Sequence, residues 1–252
     1  MAAKKSPGHA PQSDDFGVSD ERYRAWIAHV FDRPTTENGW YFDIDPWPTV
    51  FDAGAAETVG LIGRTVARSG IDLLGFDDAQ VDHGLNFIFS TACSDYFHSF
   101  ARPDAPIALK VSAVLAIKRL YKDCFEPRCA PVLGHTSERG GNPLNSIAYM
   151  LWDVSPIIYH ARDDKSLFSA IAEVLEDALQ SSNAACIESA LHGLGHAQHY
   201  FPDAVETIID RFLAGVVDER EASKFEGRRS SLRPLRPELL KYAREAREGM
   251  VL

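Results

Sequence analysis

Three histidines, His192, His196 and His199, fall within two turns of the segment ALHGLGHAQHYFPDA, residues 190–204. At positions i, i+4 and i+7, imidazoles project from one side of an α-helix. Two histidines four residues apart make a common ligand pair for a zinc-class ion, and a further donor completes such a site. That donor is either His199 or a residue of a neighbouring helix, such as Asp153 in YMLWDVSP. In zinc proteases a glutamate directly follows the first histidine and serves as general base. Here that position is Gly193, so the protease pattern lacks its base; the nearest carboxylate on the helix is Glu188, one turn before His192. Ser189 and Cys186 lie close by, but no strand-turn-helix elbow supports either as a nucleophile.

Placing successive residues 100° apart gathers Ile187, Ala190, Leu191, Leu194 and Ala197 on one side of this helix. The three histidines fall nearly opposite. Gly193, Gly195 and the small residues Ala184, Ala185 and Ser189 point to another helix approaching closely. Imidazoles held by hydrogen bonds between packed helices, or displayed on a concave partner-binding surface, are therefore favoured over a metal centre. The metal alternative names His192, His196, His199 and Asp153.

A second candidate is GWYFDIDPWPTVFD, residues 39–52, which sets Trp40, Tyr41, Phe42, Trp47 and Phe51 among Asp43, Asp45 and Asp52. Two alternating carboxylates can serve a metal or a sugar, as acid/base pairs do. The plainer expectation is a loop whose aromatics plug the end of the helical array while the aspartates stay in water. If exposed, Trp40, Tyr41, Asp43, Asp45, Trp47 and Asp52 would suit a basic protein surface, since aromatics anchor interfaces and carboxylates pair with Lys or Arg. Asp153, beside Trp152 and ahead of the helix-kinking Pro156, reads either as a buried carboxylate in need of a partner or as a hydrogen bond at the kink. GHTSERGGN, residues 134–142, has paired glycines but no preceding strand and no following Lys-Ser/Thr. It is a mobile connection rather than a phosphate loop. No motif implies a cofactor.

The elements that must position these residues are helical. Ser19 caps a helix with Tyr23, Ile27 and Val30 on one side, and an Asp cap opens another carrying Val81, Leu85, Ile88 and Phe89. PDAPIALKVSAVLAIKRLYKDCF is the strongest pattern, and further helices follow through NPLNSIAYMLWDVSPIIYH, DKSLFSAIAEVLEDALQ, SNAACIESALHGLGHAQH and PDAVETIIDRFLAGVV. A charged helix runs from Pro237 to Glu248; it has no sustained apolar face and is expected to be solvated. No stretch alternates long enough to argue for a sheet, and short Pro, Asp, Ser or Asn turns imply antiparallel neighbours. The fold class expected is all-α. The organisation expected is a flexible tail over 1–17, a helical repeat-like domain over 18–222, and a basic linker with a C-terminal helix over 223–252.

A Pro-Asp-Ala turn followed by an apolar helix occurs at ARPDAPIALK and again at YFPDAVETIIDRFL, and matching Asp164 to Asp203 gives a period of about 39 residues. The segment Asn183 to Leu213 resembles a HEAT repeat: a first helix, a Pro-Asp turn, and a second helix with Arg211 among apolar residues. That resemblance implies a right-handed α-solenoid, an irregular array of antiparallel helix pairs that acts as a binding scaffold. Small, acidic, all-helical chains with irregular HEAT-like repeats look like bacterial immunity proteins, which bind and neutralise a toxin.

The formal net charge is −10 over 252 residues. It disfavours nucleic acid as a direct ligand and steers toward basic partners, a basic toxin among them. The locally basic C-terminal segment is the exception, and a HEAT-like nucleic-acid protein is the third reading. The four cysteines are scattered, and CFEPRC matches no zinc knuckle, so reduced thiols in a cytoplasmic protein are expected, with a Cys124–Cys129 bridge as the alternative. No apolar run approaches the length of a membrane span, and the N-terminal lysines have no apolar region after them, so neither a membrane partner nor a secretory signal is expected. A non-enzymatic protein-binding scaffold ranks first and a metal-dependent enzyme second.

Overall fold

Polar side chains at the ends of the apolar runs set where the helices start. Ser19 accepts from the Arg22 amide and opens α1 (Asp20–Phe31). Asp77 and Gln80 form a reciprocal capping box that opens α4 (Asp78–Phe89). Asp164 accepts from the Ser166 and Leu167 amides to open α10 (Lys165–Ala178), and Asn183 from Ala185 to open α11 (Ala184–Gln198). The computed structural model describes residues 14–37, 39–43, 50–222 and 232–251. Asp45, Trp47, most of the expected 1–17 tail and the basic stretch 223–231 lie outside the described residues.

Between these elements lie α2 (Ala55–Ala67), the single turn α3 (Ser69–Asp72), and a long interrupted helix. The latter comprises α5 (Ile107–Leu115), α6 (Ile117–Leu120), a π-helical turn over Tyr121–Phe125, and α7 (Glu126–Arg128). α8 (Pro143–Val154) ends where Ser155 turns extended ahead of Pro156, whose ring carries no amide hydrogen to continue the ladder, and α9 (Ile157–Ala161) resumes beyond it. α12 (Pro202–Ala214) and α13 (Pro237–Arg247) both start at a proline in the first turn, where a missing N–H costs nothing.

The described residues are mostly helical, as the all-α expectation requires. One small departure is a parallel pair of three-residue strands, β1 (Val216–Asp218) and β2 (Arg233–Leu235), with Val216 opposite Arg233. Segments of three residues are too short to show alternation, which is why periodicity did not reveal them. A single apolar cluster extends from Val18 to Ala246. No helix among the described residues is long and apolar enough to cross a membrane. All four cysteines are free, Cys124 and Cys129 both buried.

Helix α11 holds the centre of the C-terminal half, with α8, α10, α12 and α13 packed around it. Every residue from Ala185 to Gly195 is buried, including the side opposite its apolar stripe. A helix enclosed on all sides belongs to the interior. Small residues allow this enclosure: a Cβ on Gly193 would come within 2.7 Å of the Trp152 ring of α8. The close approach expected from those glycines is thus made by α8, and by Val251 against Gly195.

The charged C-terminal helix differs from its expectation. Leu239, Tyr242, Ala243 and Ala246 are buried against α11 and α12, so α13 is part of the core and not a solvated appendage. Those positions are spaced three and four apart, a narrow stripe masked by the surrounding Lys, Arg and Glu residues.

Candidate metal centre

His192 sits on the side of α11 that α8 and α13 cover, and it is fully buried. Its Nδ1 lies 2.7 Å from the hydroxyl of Tyr242 on α13. Its Nε2 lies 3.1 Å from Nε2 of His196, one turn on. The His196 Nε2 is in turn 3.4 Å from Oδ1 of Asp153, near the C-terminal end of α8. These three donors, one from each side chain, all lie within 4.8 Å of one another. His199 does not join them. It is exposed at the end of α11 and packs edge-on against Tyr200.

Two donors held at a tetrahedral angle by a zinc ion at about 2.0 Å stand about 3.3 Å apart. The observed separations of 3.1 Å and 3.4 Å match two edges of that tetrahedron. The orientation is compatible as well. With Nε2 turned toward the common point, Nδ1–H of His192 donates to the Tyr242 phenol, the outer hydrogen bond that metal-binding histidines commonly make. The Tyr242 hydroxyl has Tyr149 at 3.4 Å beyond it, and the Tyr149 ring lies 4.4 Å from the His192 ring.

Exposure separates the three ligand candidates. The side chains of His196 and Asp153 are 32% and 41% exposed, so the open side of the tetrahedron faces water, with His192 as its floor. The His192 pKa is pushed down to about 3, first by burial and then by the neighbouring His196 and His135. It is therefore held as neutral imidazole, the form that binds metals. Burial raises the Tyr242 and Tyr149 hydroxyls, so both remain protonated donors at neutral pH.

Glu188, the nearest carboxylate to His192 along the helix, faces elsewhere. It is buried and accepts from the amides of Gly134 and His135, both at 2.9 Å, and it sits 2.5 Å from His135 Nδ1. The His135 ring stacks on Tyr242, centroids 4.1 Å apart and 11° between planes. The 134–142 connection, expected to be mobile, is therefore pinned at its start to the floor of the site, and Glu138 adds an ion pair with Arg236 at 3.0 Å. A second polar chain lies beneath: Trp152 Nε1 donates to Tyr121, whose hydroxyl is 2.6 Å from Ser189, and Ser189 donates to the Ala148 carbonyl. Ser189 is thus a structural hydroxyl.

Tyr242, Tyr149 and His135 were not legible as site residues, because each lies more than forty residues from its partner on α11. The one available signal was the narrow apolar stripe of α13 that carries Tyr242.

The aromatic loop is placed differently. Trp40 is buried, packed 4.4 Å from Phe87 with the Arg33 guanidinium over its ring. Tyr41 is half-buried and parallel to Phe87, while Asp43 and Asp52 are exposed. Trp40 is thus enclosed while Phe42 is exposed, and Asp45 and Trp47 of the same loop lie outside the described residues. Comparison with protein-family models, curated proteins and solved structures gives no match.

Proposed function

We propose that the protein binds a single divalent transition-metal ion, zinc by its donor set, through His192, His196 and Asp153. The observation that carries this reading is the convergence of two imidazole Nε2 atoms, 3.1 Å apart, with a carboxylate oxygen at 3.4 Å. Two nitrogens and one oxygen leave a fourth position open, the pattern of metal sites that bind and activate a water rather than purely structural ones. Such an ion would supply a metal-bound water for hydrolytic chemistry. The chain's own contribution is to hold His192 from behind with Tyr242 and to leave Asp153 and His196 at the surface where a substrate can reach.

Metal analysis of the purified chain after zinc loading and gel filtration tests this directly. One zinc per chain is expected, with His196→Ala and Asp153→Asn reducing affinity at least about tenfold. Both side chains are partly exposed, so both variants are expected to fold. A chain that retains no zinc, or variants that retain it as well as the parent, would sink the reading.

A second proposal keeps the chain as a HEAT-like, solenoid-type scaffold for a basic protein, in the manner of an immunity protein. Its support is the net charge of −10 and an exposed platform in which Tyr159 and Tyr200 lie 6.3 Å apart with Arg162 over Tyr159. The test is salt-sensitive capture of one defined basic partner, lost in Tyr159→Ala/Tyr200→Ala; capture that ignores these substitutions would remove it.

A further inference from the structure

A cavity of about 450 Å³ opens in the N-terminal half, away from the histidine cluster in sequence and built from other elements. Three rings form one wall: Tyr41 lies parallel to Phe87, centroids 5.8 Å apart, and Tyr96 meets Phe87 edge-on at 5.4 Å. Phe51 adds a fourth. Its segment is fastened to this wall, because the Phe51 amide donates to the Tyr96 hydroxyl at 2.8 Å and that hydroxyl reaches back to the Phe51 carbonyl at 3.4 Å. These hydrogen bonds between the Phe51 main chain and the Tyr96 side chain fix that edge of the cavity. Its volume falls within the range of small-molecule sites, about 300–1,000 Å³.

The charged side chains that line it are acidic. Among the described residues lining the cavity, Asp52 and Asp95 are the charged ones, and both are exposed at its edge. Beside it, the Arg22 guanidinium covers one face of Phe51, donates to the Asp52 carbonyl and pairs with Glu57 at 2.6 Å. Aromatic faces attract cations through the ring quadrupole, and carboxylates at the mouth add a Coulombic pull.

We propose that this cavity is a binding site for a small organic cation, an amine or ammonium group carried on an apolar or aromatic body. The cation sits over the half-exposed Tyr41 ring, its apolar part fills the space against Phe51, Phe87 and Tyr96, and Asp52 and Asp95 neutralise it. Among the described lining residues an anion meets two carboxylates and no base. A neutral molecule of the same shape loses the charge-dependent share. This inference does not rest on the metal reading, since no residue is shared between the two sites.

The test uses the full chain with 2-phenylethylammonium and its neutral counterpart of similar shape, 2-phenylethanol, titrated by calorimetry and by amide chemical shifts. The cation is expected to bind with a dissociation constant of roughly 1 mM or tighter, about five- to tenfold better than the alcohol. Shift changes should centre on Phe51, Phe87 and Tyr96. The surface variant Asp52→Asn/Asp95→Asn, confirmed folded by circular dichroism, should bring the cation down to the level of the alcohol and leave the alcohol unchanged. Equal affinity for the two probes, binding of neither, shifts centred elsewhere, or a cation preference that survives the double substitution would each overturn the proposal.

Discussion

Two histidines, His29 in the N-terminal half and His192 in the C-terminal half, are withdrawn from water in different ways. His29 lies among Trp26, Trp40, Phe51 and Phe87, with ring centroids 5.5–6.4 Å away. Its Nδ1 accepts from Arg33 at 3.1 Å, and its Nε2 is buried with no hydrogen-bond partner among the described residues. His192 has a polar partner for each nitrogen, Tyr242 on one side and His196 on the other. Both are pushed below the ordinary imidazole range, His29 to about 4 and His192 to about 3, with burial the main cause in each. The direction of a pKa shift therefore does not distinguish the two. What does is convergence: around His192 other ligand atoms aim at one point, and around His29 there are rings and the Arg33 guanidinium, which has no lone pair to offer a metal.

The largest expected effect tests whether the C-terminal cluster depends on its partners. Glu188→Ala leaves two part-buried amides and the His135 ring without their acceptor, and should cost about 2–3 kcal/mol in chemical denaturation. A loss below about 1 kcal/mol would show that the network does not act as a unit. Next in size is Tyr242→Phe, which removes the hydroxyl behind His192. Zinc affinity, measured by competition with a chromogenic chelator, should fall about 10- to 100-fold with stoichiometry unchanged. Unaltered affinity would detach Tyr242 from the centre.

His29 provides the contrasting case through pH. Its folded pKa, about 4, lies below the ordinary 6.5, so the unfolded chain binds more protons in between. The contribution of His29 is present in full above about pH 6.5 and lost as pH falls toward about 4. Because the ring is only half-buried, solvent screening reduces it to about 1–2 kcal/mol. His29→Leu should flatten that part of the stability-pH curve and leave zinc binding untouched; an unchanged acid limb would mean that the ring titrates freely. The smallest effect is expected at His199→Ala, within about 0.5 kcal/mol of the parent in stability and with the same zinc stoichiometry. A loss of bound zinc in that variant would replace Asp153 with His199 in the ligand set.

Much of the local structure was readable from residue types. Ser19, Asp77, Asp164 and Asn183 cap helices at the sequence positions where short polar residues precede apolar periodicity. The pairing of His192 with His196 follows from four-residue spacing alone. The helical rotation also placed them correctly opposite the Ile187–Leu194 stripe, but it could not show that this second side is enclosed too. It carried His199 along with them, although that residue caps the helix end and is exposed. Charge density concealed the buried stripe of α13, and with it Tyr242.

By itself, then, the sequence determined the helices, their caps, the break at Pro156, and a pair of imidazoles one turn apart. These follow from interactions within a few residues, which chain chemistry dictates directly. Only the tertiary structure decided which carboxylate meets those imidazoles. It brought Asp153 of α8 to His196 and turned Glu188 away toward the Gly134 and His135 amides. It also placed Tyr242 behind His192 and opened the aromatic cavity beside Tyr96. Each of those outcomes depends on the packing of helices distant in the chain, where side-chain volume at positions such as Gly193 sets how closely two helices approach.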